Sequence, residues 1–327
     1  MKRLLSFLAL ATVASFTSQS SPLPARGARP ESHDANTRLG PGRYAGLAFI
    51  SDMNSNAVWI CPTGNIRVGF LPPTAQLQGV SQPVQLATDR NGTVYVANSQ
   101  LDASGQGSVT VYPRGQTSPS ATLTSGLNTS TGVAVDSSGT VYVSNKYTAT
   151  IQVFPKGRRV PAATMAKNLT GPDGLAVDRN DNLFIADGSR NDVLEVTQGS
   201  LTPQPLHLQG VARPVGVAVD TQGNLFVSNL SGGASNITAY APGSRTPTRT
   251  FVLPYSPNTP GTIGEPVMLS LGPADMLIAS AFISLVPVDG VLFGGPGVIG
   301  GFASGQSEPE WSGYGISASD TVFQPAR

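Results

Sequence analysis

The sequence predicts an all-β fold, a six-bladed β-propeller of four-stranded antiparallel blades. One observation is a recurring pair of short strands around a polar turn, clearest in GPDGLAVDRNDNLFIAD from Gly171 to Asp187. Its apolar residues alternate with a period of two, which is typical of strands with two different faces. A second observation is the spacing of the copies, whose second strands are predicted to begin at Leu47, Thr93, Thr140, Asn182, Asn224 and Asp275. Repeats of roughly 42 to 51 residues are typical of propeller blades.

The remaining two strands of each blade follow this motif. Third strands are predicted in TIQVFPKG from Thr150 and in NITAYAPG from Asn236. Fourth strands are predicted in AATMAK from Ala162 and in TRTFVL from Arg249. The proline and glycine residues between them are common turn residues, so each repeat reads as one four-stranded meander.

The two ends of the repeat region are predicted to share one blade. LAFISD, from Leu47 to Asp52, matches a second strand whose first strand is missing upstream. GISASD, from Gly315 to Asp320, matches a first strand with no blade after it. We therefore expect the C-terminal strand to complete the first blade, which would remove the open sheet edges that favour aggregation.

The repeats resemble those of NHL-type six-bladed propellers. The resemblance rests on copies such as GVAVDSSGTVYVSN from Gly132 and GVAVDTQGNLFVSN from Gly216, and it covers about residues 44 to 320. It implies the fold but says little about function, because propellers carry many unrelated activities.

The N-terminal region predicts export. Lys2 and Arg3 precede an apolar run from Leu4 to Phe16, which is too short to span a bilayer. We interpret residues 1–20 as a signal peptide, residues 21–42 as a disordered linker and residues 43–327 as the propeller domain. The expected location is secreted, periplasmic or at the cell surface.

Composition limits the partners and the chemistry. The formal net charge is +1, which gives no electrostatic reason to expect nucleic acid or membrane insertion. We expect a monomer that binds a protein or a small-molecule ligand. Cys61 is the single cysteine, so no internal disulfide forms, and its repeat position predicts burial. Only His33 and His207 are histidines, which argues against zinc sites and serine–histidine catalysis.

Candidate site residues are predicted at the channel mouth, which we define as the end of the blades where the first strands begin. The position before the motif glycine is occupied around the ring by Val84, Thr131, Asp173, Val215, Val267 and Tyr314. Lys146, Tyr147, Asp187, Arg190 and the apolar segment Ala281–Pro296, which contains Phe282 and Phe293, are expected at the same mouth. We expect that segment to plug the channel or to form an exposed contact patch.

Pro172-Asp173-Gly174 resembles a motif of gluconolactonase-type, regucalcin-like propellers, in which the aspartate binds a divalent metal. A hairpin centred near Asn180 would place Asp187 opposite Asp173, and Asp192 would lie nearby. Two facing carboxylates are ligands that Ca²⁺ prefers, and one of them is also suited to act as a base.

Other features favour a structural role for these aspartates. Thr131 and Val215 stand where that family has an asparagine, and Glu265 lies one residue away from the matching position. The position of Asp187 is occupied by aspartate or asparagine in most blades, which is typical of a turn cap. Three hypotheses remain: a binding or scaffold module without a cofactor, a Ca²⁺-dependent lactonase-type hydrolase using Asp173, and a purely structural surface protein.

Overall fold

The computed structural model describes residues 46–53, 55–62, 73–99, 106–230, 236–251, 263–271, 277–284, 298–302, 311–314 and 318–325. The predicted signal peptide and linker lie outside these residues, as do Phe293 and most of the predicted apolar segment. No helix in the described part of the chain is long and apolar enough to span a membrane.

The described residues form short β-strands throughout. In chain order they are β1 (Gly46–Asp52), β2 (Ala57–Pro62), β3 (Ala75–Gln76), β4 (Pro83–Thr88), β5 (Val94–Asn98), β6 (Ser108–Tyr112), β7 (Ala121–Leu123), β8 (Ser130–Val135), β9 (Val141–Asn145), β10 (Thr150–Phe154), β11 (Ala163–Met165), β12 (Pro172–Val177), β13 (Leu183–Asp187), β14 (Asp192–Val196), β15 (Gln204–Pro205), β16 (Pro214–Val219), β17 (Leu225–Asn229), β18 (Asn236–Tyr240), β19 (Arg249–Phe251), β20 (Ile263–Leu271), β21 (Leu277–Ser284), β22 (Val298–Phe302), β23 (Trp311–Tyr314) and β24 (Ala318–Pro325).

Among the described residues these strands form six four-stranded sheets. Sheet 1 has the order β24-β1-β2-β3, and sheets 2 to 6 are β4–β7, β8–β11, β12–β15, β16–β19 and β20–β23. All neighbouring strands pair antiparallel, as the repeat predicts. We call β24, β4, β8, β12, β16 and β20 the inner strands, because each contacts the next in this order and β20 contacts β24.

Two predicted strand positions near the C terminus are wrong. The strand that pairs with β1 runs from Ala318 to Pro325 rather than from Gly315 to Asp320, because its pairing continues as far as Gly46↔Pro325. Tyr314 was expected on an inner strand, but it lies on the outer strand β23 and pairs with Val298.

The hydrophobic core is divided among the interfaces between neighbouring sheets. Ile151 and Met165 of sheet 3, for example, pack with Leu175 and Ile185 of sheet 4. Alternating strand residues explain this arrangement, because each sheet has an apolar face towards each neighbour. Cys61 is fully buried, as predicted, and burial raises the pKa of its thiol to about 11.

The recurring aspartates of the first hairpins are turn caps. One carboxylate oxygen of Asp178 accepts hydrogen bonds from the backbone N–H groups of Asn180 and Asn182, each at 2.8 Å. Asp136 makes the same pair of contacts with Ser138 and Thr140. These repeated residues therefore have a structural role in the turns.

Candidate functional site

The inner strands are interrupted near their starts by an irregularity in the pairing. In β12 the register shifts between Pro172 and Leu175, so that Asp173 and Gly174 have no partner on β13. The same shift occurs in β4, β8, β16 and β20. Such bulges bend a strand and redirect a side chain. The predicted ring positions that lie in these shifts are Val84, Thr131, Asp173, Val215 and Val267.

Asp187 does not pair with Asp173, so this expectation is wrong. The bulge adds a residue to β12, and Asp187 consequently pairs with Pro172. Its buried carboxylate accepts hydrogen bonds from the backbone N–H and hydroxyl of Thr170 at 2.7 and 2.8 Å, and from the backbone N–H of Arg190 at 3.0 Å. Asn145 accepts a comparable hydrogen bond from the N–H of Asn128 at 3.0 Å. Asp187 thus serves as a turn cap in this structure.

Asp173 forms an ion pair with the neighbouring sheet. Its side chain is almost entirely buried, and the ammonium of Lys146 lies 2.5 Å from Oδ2. Burial raises the pKa of Asp173, and the charge and hydrogen bond of Lys146, helped by Thr131, oppose this shift without cancelling it. A buried carboxylate with a perturbed pKa is a feature of many functional sites, and also of structural ion pairs.

The backbone at Asp173 is tightly enclosed. The hydroxyl of Ser144 donates a hydrogen bond to the carbonyl oxygen of Asp173 at 2.7 Å. A Cβ atom at Gly132 would lie only 2.2 Å from that same oxygen. Glycine is therefore required at position 132, and sheet 3 fixes the bulge of sheet 4 in one position.

Side chains of the inner strands fill the channel just below the mouth. Val84, Val215 and Met268, from three different inner strands, pack together there. Beside them the amide of Gln85 donates to the carbonyl of Leu175 at 2.8 Å and accepts from the N–H groups of Leu175 and Val133, both at 3.0 Å. The plug in the described channel is thus built from the inner strands. We expected the segment Ala281–Pro296 to be the plug. Phe282, near its predicted start, instead lies on strand β21.

No protein-family model matches the sequence, and no curated protein matches it. Solved structures do match. A protein from Lactobacillus plantarum is 12% identical and aligns with a TM-score of 0.59 over 85% of this chain and 99% of that chain. One chain of the Nidogen/Laminin complex is 15% identical, with a TM-score of 0.54 over 83% and 98% of the two chains. Hydrazine synthase of Kuenenia stuttgartiensis is 15% identical, with a TM-score of 0.52 over 72% and 68%.

The protein is a β-propeller. At these identities the similarity shows the fold alone, and the chemistry of the site has to be argued from its own residues.

On the far side of Gln85 the propeller channel is open. A cavity of about 250 Å³ is lined by β4, β8, β12, β16 and β20, with Leu175 and Val217 among its residues. It faces the hairpin end, which we define as the end of the sheets where the first hairpins, such as Asp178–Asp181, lie. Sequence reasoning missed this arrangement because Gln85 and Leu175 are far apart in the chain and no local pattern links them.

The other predicted mouth residues differ in their surroundings. Tyr147 is 79% exposed beside Lys146 on the turn that follows β9. Arg190 donates to the carbonyl oxygen of Asn168 at 3.3 Å. Asp192 instead pairs with His207 on the outer side of sheet 4, at 3.2 Å. The structure therefore places Lys146 against Asp173, with Tyr147 as the next residue of the turn, whereas Asp192 pairs with His207.

The described residues of the propeller mouth do not fit a calcium site. Calcium takes six to eight oxygen ligands. One oxygen of Asp173 contacts an ammonium group, and both oxygens of Asp187 already accept hydrogen bonds. The bulged positions of β4 and β16 carry valine. Within the described residues, no cluster of three or more His, Cys, Asp or Glu side chains is suited to a metal ion.

Proposed function

We propose that this protein is an exported six-bladed propeller of the NHL type that binds a protein or small-molecule partner through its channel mouth. In this proposal it is a binding or scaffold module that works as a monomer without a cofactor. The observation that carries the proposal is the combination of exposed Tyr147 with half-buried Lys146, which is ion-paired to Asp173 in the bulge.

The six-bladed ring is supported by the sheet topology. Each of the six sheets has one inner strand, and the inner strands contact one another in an unbroken series. The C-terminal strand β24 pairs with β1, so sheet 1 is formed from both ends of the repeat region. We infer that this pairing closes the ring, as a propeller needs if no sheet edge is to remain open.

Binding through the mouth is supported by the exposed aromatic residue. Tyrosine provides a large contact area at a low cost in conformational entropy and is common among residues that dominate binding energy. Tyr147 is held on a short turn between two well-paired strands. Lys146 is already partly positioned by Asp173, which reduces the entropy lost when a partner binds.

Export is proposed from the sequence of residues 1–20 alone. A basic start followed by a short apolar run is typical of a secretory signal. Cleavage between Ala14 and Ser21 is expected, and N-terminal sequencing of the protein recovered outside the cytoplasm tests it.

The proposal is tested by substituting exposed apolar residues at the two ends of the sheets and comparing how well each variant retains a partner. Immobilised wild-type protein is expected to retain a partner from the fluid that surrounds the producing cells. Tyr147→Ala should reduce that retention roughly tenfold or more, as the loss of a central aromatic contact does. Val160→Ala and Leu201→Ala are the controls, because both residues are exposed at the hairpin end. Equal retention by all variants, or no partner at all, would favour a purely structural surface protein.

The hydrolase hypothesis keeps one supporting observation, the raised pKa of buried Asp173. A carboxyl group of this kind is suited to general acid or base catalysis. The ion pair with Lys146, and the lack of a fitting ligand set among the residues that the structure describes, argue against its calcium-dependent form.

A further inference from the structure

Glu195 occupies a strand position that carries an apolar residue in four of the other sheets. Glu195 lies on β14 and pairs with Phe184 on β13. In the same register the third strands of sheets 1, 2, 3 and 5 carry Ile60, Val111, Val153 and Ala239. These residues close the interface with the following sheet, as Val153 does in the cluster it shares with residues of sheet 4. A glutamate cannot do this without burying its charge.

A cavity of about 380 Å³ lies where Glu195 stands, at the hairpin end between sheets 4 and 5. Its lining includes the apolar side chains of Phe184, Leu206, Leu208, Leu225 and Tyr240. The rest of the lining is largely polar or charged and includes Arg179, Glu195 and Arg245. The volume lies within the range of small-molecule sites. The cavity is separate from both the channel and the mouth, because none of its lining residues belongs to an inner strand.

The cavity is also lined by charged side chains of both signs, the carboxylate of Glu195 and the guanidinium groups of Arg179 and Arg245, that form no ion pair among the described residues. The carboxylate of Glu195 accepts no hydrogen bond from any described residue. Burial and the neighbouring charge of Asp178 raise its pKa, so a cation placed beside it would be favourable. Arg179 and Arg245 line the same cavity, and neither guanidinium is ion-paired within the described part of the chain. Asp178, by contrast, is occupied by its own turn.

We propose that this cavity binds a small zwitterion with an apolar body, of the class of aromatic and aliphatic amino acids and their short peptides. The ligand's ammonium group contacts Glu195, its carboxylate contacts Arg179 or Arg245, and its side chain lies against Phe184 and the neighbouring leucines. A contact between a carboxylate and an arginine guanidinium is charge-assisted and has a defined geometry.

Calorimetric titration with L-phenylalanine tests this assignment. The wild-type protein should bind it saturably, while 2-phenylethylamine and 3-phenylpropionate, which each lack one charge, should bind roughly tenfold more weakly or less. Glu195→Gln should reduce the affinity for L-phenylalanine by a similar factor. Glu195→Val, which installs the residue type found in sheets 2 and 3, should abolish binding with an unchanged or higher melting temperature.

The control is Tyr147→Ala at the opposite end, which should bind L-phenylalanine as the wild type does. It separates this proposal from the proposed partner site at the mouth. No saturable binding of L-phenylalanine or of the dipeptide Phe-Phe by the folded wild type would overturn the assignment. Unchanged affinity in Glu195→Gln would overturn it as well.

Discussion

Asp173 is a buried carboxylate whose partner comes from a neighbouring sheet. The sequence predicted that Asp173 and Lys146 lie at the same mouth. The repeat alignment places Asp173 at the start of a first strand and Lys146 directly after a second strand, and these two positions lie at the same end of a blade. It did not predict their ion pair, which depends on the bulge that redirects Asp173. For the same reason it placed Asp187 opposite the wrong residue. Repeat alignment locates a side chain on a strand, but a single extra residue decides where that side chain points.

We predict that Asp173 makes the folded protein less stable as pH rises. Its folded pKa is raised above the usual 3.8, so its favourable contribution is complete below that value and is lost as pH rises through the folded pKa. The free energy of unfolding of Asp173→Asn should therefore rise relative to that of the wild type as pH increases through the folded pKa of Asp173. Denaturant unfolding at a series of pH values measures the difference.

Asp136 provides a control of opposite sign. Burial alone would raise its pKa, but hydrogen bonds from Ser138, Thr140 and Tyr142 outweigh burial and lower it below 3.8. Its stabilising contribution is present above the unfolded value and is lost as pH falls through the folded pKa. Asp136→Asn should thus lose stability relative to the wild type at neutral pH. The same pH trend in both variants would contradict this account.

Strands and turns were the most predictable elements. Alternating apolar residues and Asp-capped hairpins are local signals, and both are present in the structure. The bulges were not predictable, because the apolar residues continue to alternate on each side of a bulge. The role of Gln85 was equally hidden, since its amide joins β4 to two other inner strands. Each inner strand has one edge whose backbone N–H and C=O groups have no neighbouring strand. A side-chain amide can form hydrogen bonds with these groups in place of that strand.

We predict that Gln85→Ala is strongly destabilising. The variant leaves two backbone N–H groups and one carbonyl oxygen, on Val133 and Leu175, without their partner. Such losses cost roughly 1–3 kcal/mol for a buried group, and water entering from the open cavity will reduce the total to about 2–4 kcal/mol. Denaturant unfolding provides the measurement.

The matched control is Gln198→Ala on an exposed turn. Its amide makes only an exposed contact with Asp181 at 3.4 Å. A surface substitution of this kind changes the free energy of unfolding by roughly 0.5 kcal/mol or less. Equal effects of the two substitutions would show that Gln85 does not brace the inner strands.

For the whole molecule, the length of the repeat was the most informative property of the sequence. It predicted a propeller of four-stranded sheets, and it placed both ends of the repeat region in one sheet. The filled channel and the cavities at the hairpin end were not predicted. The channel is filled by residues such as Val84 and Val215, which are distant in the chain and become neighbours only when the sheets assemble. The channel cavity likewise combines distant residues such as Leu175 and Val217.

The central claim is that Asp173 at the mouth is committed to an internal ion pair and that the described residues there do not fit a calcium site. Calorimetric titration of the wild-type protein with Ca²⁺, beside Asp173→Ala, tests it most directly. We predict no saturable heat in either protein, because the ammonium of Lys146 occupies the place beside Asp173 that a cation would take. Tight binding by the wild type that Asp173→Ala abolishes would contradict the claim and support the lactonase-type hydrolase.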